Sequence, residues 1–255
     1  MNLIQTLIRT YEYSPIRKYL RPIERVLRSK VASRSRITVG PLRGYIYRGE
    51  GEGVLIGTYE LDVQRAIQEH VKLGDVVYDV GANHGYMSLL SSVLTGPEGH
   101  VFAFEPLPYN IDVLKQTIQE NHIPNITLIP LALSDSAGNV SLYLGDGRHA
   151  RPSLYPWHGD DHITVATITL DSFVAENVPP NVVKMDIEGA EHLVLRGAGN
   201  LLRRTDAPIW IIEVHSKEND EECSSRLVEN GYTIEKLIDS SNPRSQHHII
   251  ARKKN

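Results

Sequence analysis

At 255 residues, with 41% apolar and 23% charged side chains, the chain has the makeup of one α/β domain plus a short extension. No apolar run approaches the roughly 20 residues that cross a bilayer, which excludes the integral-membrane class, and the composition excludes a disordered chain. The net charge of −4 hides an asymmetry, since residues 1–36 carry nine Lys and Arg against Glu12 and Glu24 while the remainder carries 18 bases against 29 acids. An acidic body with a basic arm lacks the basic working face that a nucleic-acid backbone requires, so no nucleic-acid partner is expected. Cys223 is the single cysteine, which excludes an internal disulfide or a cysteine-based zinc cluster. The start MNLIQTLIRTYEYSPIRK lacks a secretory apolar core, so a reducing, cytoplasmic setting is the expectation.

In the arm, Ile16, Tyr19, Leu20, Ile23, Val26 and Leu27 recur at helical spacing, and Arg17, Lys18, Arg21, Arg25 and Arg28 take the other face. The spacing predicts a basic amphipathic helix over residues 14–29. It has two readings: peripheral contact with an anionic membrane surface at its inner face, or packing on the body with the arginines solvated. Ile37 to Val39 and Tyr45 to Tyr47 flank GPLRG as the arms of a hairpin. From Tyr59 onward strand and helix alternate. Val63, Ala66, Ile67 and Val71 mark a helix, VVYDV a buried strand ending at Gly81, and residues 86–94 a second helix. Strand HVFAFE, a helix from about Pro108 to Asn121 and strand ITLIPLAL follow. Between Ser134 and Asp171 the rhythm changes to two antiparallel strands, NVSLYLG and ITVATITL, around a polar loop holding Tyr155, Trp157 and His158. Strand VVKMDI, a helix over 189–203, strand PIWIIEV, a helix near 220–229 and strands YTIEKLI and HHIIARK complete the chain. The repeated units imply a mostly parallel sheet with helices on both faces.

Asp79-Val80-Gly81-Ala82-Asn83-His84-Gly85 stands at the carboxyl end of the first buried strand and opens a helix, the place where an open α/β sheet binds ligands. The spacing is not GxGxxG and no GxxxxGK[ST] occurs, so neither a dinucleotide nor a nucleoside triphosphate is the expected ligand. Glu105, ending the next strand, can accept hydrogen bonds from both hydroxyls of a ribose, and Pro106 and Leu107 offer apolar faces to an adenine. Asp79 adds a second carboxylate. A negative pocket of this kind suits a cationic cofactor, and S-adenosylmethionine, with its sulfonium, is the sharper match.

Taken in order, DVGANHG, FAFEP, ALSDSAGNVSLY, TLDSF, KMDIEGAEHLVLRGA and IIEVH resemble the FkbM family of S-adenosylmethionine-dependent methyltransferases over roughly residues 55–252. The resemblance implies a Rossmann-like class I methyltransferase sheet of seven strands, ordered 3-2-1-4-5-7-6 with the seventh antiparallel, and O-methylation of a sugar, glycolipid or secondary metabolite. It also implies that Asp79, Gly81, Asn83 and Gly85 line the methionine end of the cofactor, that Glu105 meets the ribose, and that Ser134 and Asp135 meet the adenine edge. Residues 51–255 would be the methyltransferase domain and residues 1–50 a basic extension.

On the acceptor side, alternation along Lys184-Met185-Asp186-Ile187-Glu188 puts Lys184 and Asp186 on one side of the strand with Glu188 beyond its end. Glu213 and His215 share a parity at the end of the neighbouring strand. Asp186, Glu188, Glu213 and His215 are therefore expected to converge. Three roles compete: Asp186 or His215 as general base, the carboxylates with His215 as ligands of a divalent metal, or Glu188 and Glu191 as charges favouring a helix N-terminus. The helix role is the expectation for Glu191. Nothing in the spacing fixes a coordination geometry, so no metal ligand is assigned. His84 is read as either facing the ligand or lying exposed in its loop. The fourth strand ends in DIEG where amino-group methylation typically uses [DN]PP[YF], which favours a hydroxyl acceptor. A catalytically inactive, arm-tethered cofactor-binding module is the alternative.

Overall fold

The computed structural model describes residues 35–49, 53–143, 162–237 and 247–254. The expected helix over 14–29 and the loop holding Tyr155, Trp157 and His158 lie outside them. A short antiparallel hairpin, β1 (Ser35–Arg36) with β2 (Ile46–Tyr47), comes first, where the sequence placed one. After it run α1 (Leu61–His70), β3 (Val76–Val80), α2 (Tyr86–Thr95), β4 (His100–Phe104), α3 (Pro108–Glu120) and β5 (Ile126–Ile129). The chain continues through β6 (Ala132–Leu133), β7 (Gly138–Tyr143), β8 (His162–Ile168), α4 (Leu170–Glu176) and β9 (Val182–Met185). It closes with α5 (Glu191–Arg196), α6 (Gly199–Arg203), β10 (Ile209–Val214), α7 (Lys217–Glu229), β11 (Tyr232–Leu237) and β12 (His247–Lys253).

Seven strands make one sheet in the order β11-β12-β10-β9-β3-β4-β5. Neighbours from β10 to β5 are parallel, while β12 is antiparallel to both β10 and β11. Counted along the chain within this sheet, that is the class I methyltransferase order, with the seventh strand reversed. Both faces are apolar because alternate residues feed opposite layers, the mark of a sheet covered on both sides. Tyr78, Val80, Phe104, Met185, Trp210 and Ile212 pack under α4 to α7, whereas Val77, Val101, Val182 and Ile211 pack against α1 and α2. Ile37, Leu42 and Tyr47 belong to that second layer, so the described part of the expected 1–50 extension is packed into the domain.

Two elements differ from the sequence reading. ITLIPLAL is not one strand: Pro130 has no N–H for the ladder, and beyond it β6 leaves the main sheet to pair with β8 in a small sheet ordered β6-β8-β7. The helix over 189–203 is two helices. Gly197 lies against the Ser134 carbonyl, where a Cβ would collide, and its own carbonyl accepts the Asp171 N–H at 2.9 Å, so the chain turns there. Among the described residues no helix is long and apolar enough to cross a membrane.

Candidate active site

The loop after β3 is held by backbone. Gly81 and Ala82 N–H both donate to Phe104 O, at 3.1 and 2.9 Å, which ties the loop to the end of β4. Gly81 has φ +77°, and a Cβ there would strike the Asp186 carbonyl oxygen, so only glycine lets the β3 and β9 loops touch. Gly85, at φ +85°, opens α2 directly over Leu114. Asn83 sits at φ +50°, a conformation asparagine tolerates better than most residues.

Glu105 is 4% exposed. Its Oε2 accepts the Asn83 N–H at 2.8 Å and its Oε1 the Leu107 N–H at 2.9 Å. With the Asn110 side chain also hydrogen-bonded to it, the carboxylate is oriented by three donors and still keeps acceptor capacity. Such an acceptor fits the hydroxyls of a ribose. Burial pushes the Glu105 carboxyl upward, and the two backbone N–H groups pull against it. Pro106 is half-buried and Leu107 buried beside it. Ser134 is also buried, with its N–H committed to Ile168 O at 3.1 Å, whereas Asp135 is exposed and its Oδ1 accepts from the hydroxyls of Ser134 and Ser136.

Asp79 sits differently from the sequence reading, and of the two readings of His84 the exposed one does not hold. Asp79 does not line a pocket: it is 1% exposed, accepts the Ser88 hydroxyl at 2.5 Å, and lies 3.3 Å from Lys184 Nζ, its register partner on β9. Lys184 Nζ also donates to Gly81 O at 3.1 Å. Burial, the largest single influence, works against the Lys184 charge, but Asp79, Asp186 and Glu60 together outweigh it and the net shift is upward. The pair is a brace beneath the loop. His84 is buried, with its ring 5.9 Å from that of Tyr109.

The other four candidates do converge. Asp186 follows β9, its N–H donating to Val80 O at 3.0 Å, which places it beside the glycine loop. Glu188 follows with φ +56°, a left-handed backbone that costs a non-glycine residue roughly 1–2 kcal/mol. Glu213 lies in β10 and His215 just past its end. His215 Nε2 is 3.5 Å from Asp186 Oδ1, 3.4 Å from Glu188 Oε2 and 3.7 Å from Glu213 Oε1. Burial opposes the imidazolium, but Glu191, Asp186 and Glu188 raise His215 to about 9. Burial and the neighbouring Glu213 drive Asp186 upward; Glu213 itself moves down, because His248, His215 and Lys184 together outweigh its burial.

Three contributors are not legible in the sequence. Glu191 has 0% exposure, accepts from the Ile187 and Gly189 N–H groups and the Asn219 side-chain amide, and stands 2.9 Å from His215 Nδ1. It stands in the first turn of α5, as expected of a helix charge, and also orients the histidine. Glu60 reaches in from the start of α1 at φ +44°, with carboxylate oxygens clustered with those of Asp186 and Glu213. His248 faces Glu213 at 3.5 Å from β12, its register partner. Of the four described non-glycine residues at positive φ, Glu60, Asn83 and Glu188 lie in this site, so backbone strain is concentrated where the chemistry would be.

The Methyltransferase FkbM domain model matches residues 79–250. Hexuronic acid methyltransferase AglP of Haloferax volcanii is 33% identical over 204 residues, which cover 77% of this chain and 78% of that protein. The fold is shared with the precorrin-6y C5,15-methyltransferase of Geobacter metallireducens (TM-score 0.51, 14% identity, covering 77% of this chain and 90% of that one). It is shared also with a putative rRNA methylase from Clostridium thermocellum (TM-score 0.52, 13% identity, covering 76% and 94%).

Proposed function

The chain belongs to the FkbM methyltransferase family and is an S-adenosylmethionine-dependent methyltransferase, and from that premise we propose that it methylates a hydroxyl oxygen of a sugar-based acceptor. The observation that carries the reading is the convergence of Asp186, Glu188, Glu213 and His215 beside Gly81, at the carboxyl ends of adjacent strands. A one-third identical relative named for hexuronic acid supports a sugar as acceptor.

Bound S-adenosylmethionine supplies an electrophilic methyl on a sulfonium. Glu105 would hold the ribose of that cofactor, the Gly81-to-Gly85 loop would accommodate its methionine end, and Pro106 with the Ser134 and Asp135 turn would border the adenine. The acceptor side holds the hydroxyl in line and polarises its O–H bond, with Asp186 nearest the glycine loop. Much of the rate enhancement in such a displacement comes from positioning alone. Acid–base assistance adds typically 100-fold or more.

The test incubates the full chain with S-adenosylmethionine and hexose- or uronate-containing oligosaccharides and reads methyl gain by mass spectrometry. A methyl ether survives mild base and a methyl ester does not, so the same assay tells hydroxyl from carboxyl. Asp186→Asn is expected to cut turnover by about 100-fold while cofactor binding persists. Unchanged turnover removes Asp186 from the mechanism, and no methyl gain on any sugar removes the acceptor class.

A further inference from the structure

The environment of His215 is not explained by proton transfer alone. Its Nδ1 lies 2.9 Å from Glu191 Oε1, which makes Nδ1 the N–H donor and turns Nε2 toward the carboxylates. The His215 side chain is 8% exposed, and Nε2 makes no hydrogen bond among the described residues. It faces Glu188, Asp186 and Glu213 at 3.4, 3.5 and 3.7 Å. An N–H···O bond sits at roughly 2.7–3.2 Å, so a proton on Nε2 reaches none of these three carboxylates in a hydrogen bond. A cation spans them well. With bonds of about 2.0–2.2 Å to imidazole nitrogen and carboxylate oxygen, ligands stand roughly 3.0 Å apart around a six-coordinate ion and roughly 3.4 Å apart around a tetrahedral one.

We propose that His215 Nε2, Asp186 and Glu188 bind a divalent cation of the manganese and zinc class, with Glu191 as the carboxylate that fixes the histidine from behind. The inference rests on the acceptor-side reading of this cluster. Imidazole in the donor set suits zinc and the two carboxylates suit manganese, whereas calcium and magnesium sites are built from oxygen. A carboxylate on the far nitrogen of a ligating histidine is the usual support for a metal site, here itself held by two backbone N–H groups and Asn219. The left-handed backbone of Glu188 is what brings its carboxylate to the histidine. In its remaining positions the ion takes acceptor oxygens, and its charge lets an oxygen-rich or acidic sugar sit beside a wall of carboxylates that would otherwise repel it.

The test titrates the chelator-dialysed full chain with Mn²⁺ and follows loss of the free-ion signal by electron paramagnetic resonance. One Mn²⁺ per chain is expected. Glu188→Gln and His215→Asn should each weaken it 10-fold or more, and Glu222→Gln, a surface carboxylate paired with Arg196, should leave it unchanged. Binding of the demethylated cofactor, measured on the same variants by calorimetry, verifies that they are folded. No bound Mn²⁺ at millimolar ion overturns the proposal, as does a site indifferent to both variants. Scoring methyl transfer in parallel separates the two readings. Ion binding lost in both variants, without sugar methylation, keeps the cation and sinks the sugar, whereas full sugar methylation by an ion-free chain does the reverse.

Discussion

The cofactor half and the acceptor half of the site meet at Gly81 and Asp186, yet they are built on opposite plans. Around Glu105 the charges are offset: two backbone N–H groups hold the carboxylate, and Asp79 beneath the loop takes the Ser88 hydroxyl and faces Lys184 across 3.3 Å. Around His215 charges of one sign are gathered. Three carboxylates face one imidazole nitrogen that none of them hydrogen-bonds, and two of the contributing residues, Glu60 and Glu188, sit on strained backbone. A half whose ligand is always the same can be finished in advance by the protein; a half that must engage a variable partner concentrates charge for the partner to answer.

That contrast can be broken most severely at the brace. Lys184→Met leaves Asp79 as an uncompensated buried charge and removes the donor to Gly81 O, so urea unfolding should show a loss of roughly 3–5 kcal/mol. The double variant Lys184→Met with Asp79→Leu should regain much of it, because an apolar pair of similar volume is often as stable as a buried ion pair. A single variant as stable as the parent would mean that the cofactor half is not pre-braced.

Glu105→Ala sharpens the comparison from the ligand side. It removes the charged acceptor of two hydroxyls while the fold keeps its core, and calorimetry with the demethylated cofactor should lose about 1–3 kcal/mol. Full affinity in that variant would place the ribose elsewhere.

The smallest effect lies outside both halves and serves as their control. His70 is buried, its Nε2 lies 3.0 Å from the Arg252 guanidinium, and burial followed by the Arg252 charge holds its pKa below the ordinary 6.5. A histidine with a depressed folded value favours unfolding as it protonates, so stability should fall as pH drops below 6.5, by at most about 1.4 kcal/mol per pH unit for this one group. His70→Gln should flatten that slope in pH-dependent unfolding. An unchanged slope would assign the acid sensitivity to other groups.

How much of this was legible in the sequence follows the same division. The mostly parallel sheet, the glycine loop and Glu105 follow from local signals: buried strands, a Gly-rich turn and a strand-end carboxylate all announce themselves in a few consecutive residues, whereas the strand order came only with the family resemblance. The convergence of Asp186, Glu188, Glu213 and His215 also followed from strand parity on two adjacent strands. What failed depended on contacts between distant segments. Glu191 reads as a helix-start charge because its partners, Asn219 and His215, lie 28 and 24 residues away. Glu60 stands beyond the matched stretch and carries no motif. Asp79 looks like a ligand until Lys184, on another strand, is seen to face it. Gly197 reads as an ordinary helical residue until the Ser134 carbonyl is placed against it.

Cys223 lies in the core under α7 at 0% exposure, its Sγ 3.4 Å from Asn219 Oδ1, and burial pushes its thiol well above the usual range. A thiol that is both covered and protonated reacts with alkylating reagents only when α7 lifts away, so the rate of labelling reports how often that helix opens. Because Asn219 also holds Glu191, and Glu191 holds His215, each such opening loosens the histidine's support. The chain's single sulfhydryl is thus a built-in clock for the acceptor half, readable without adding a probe and without measuring catalysis at all.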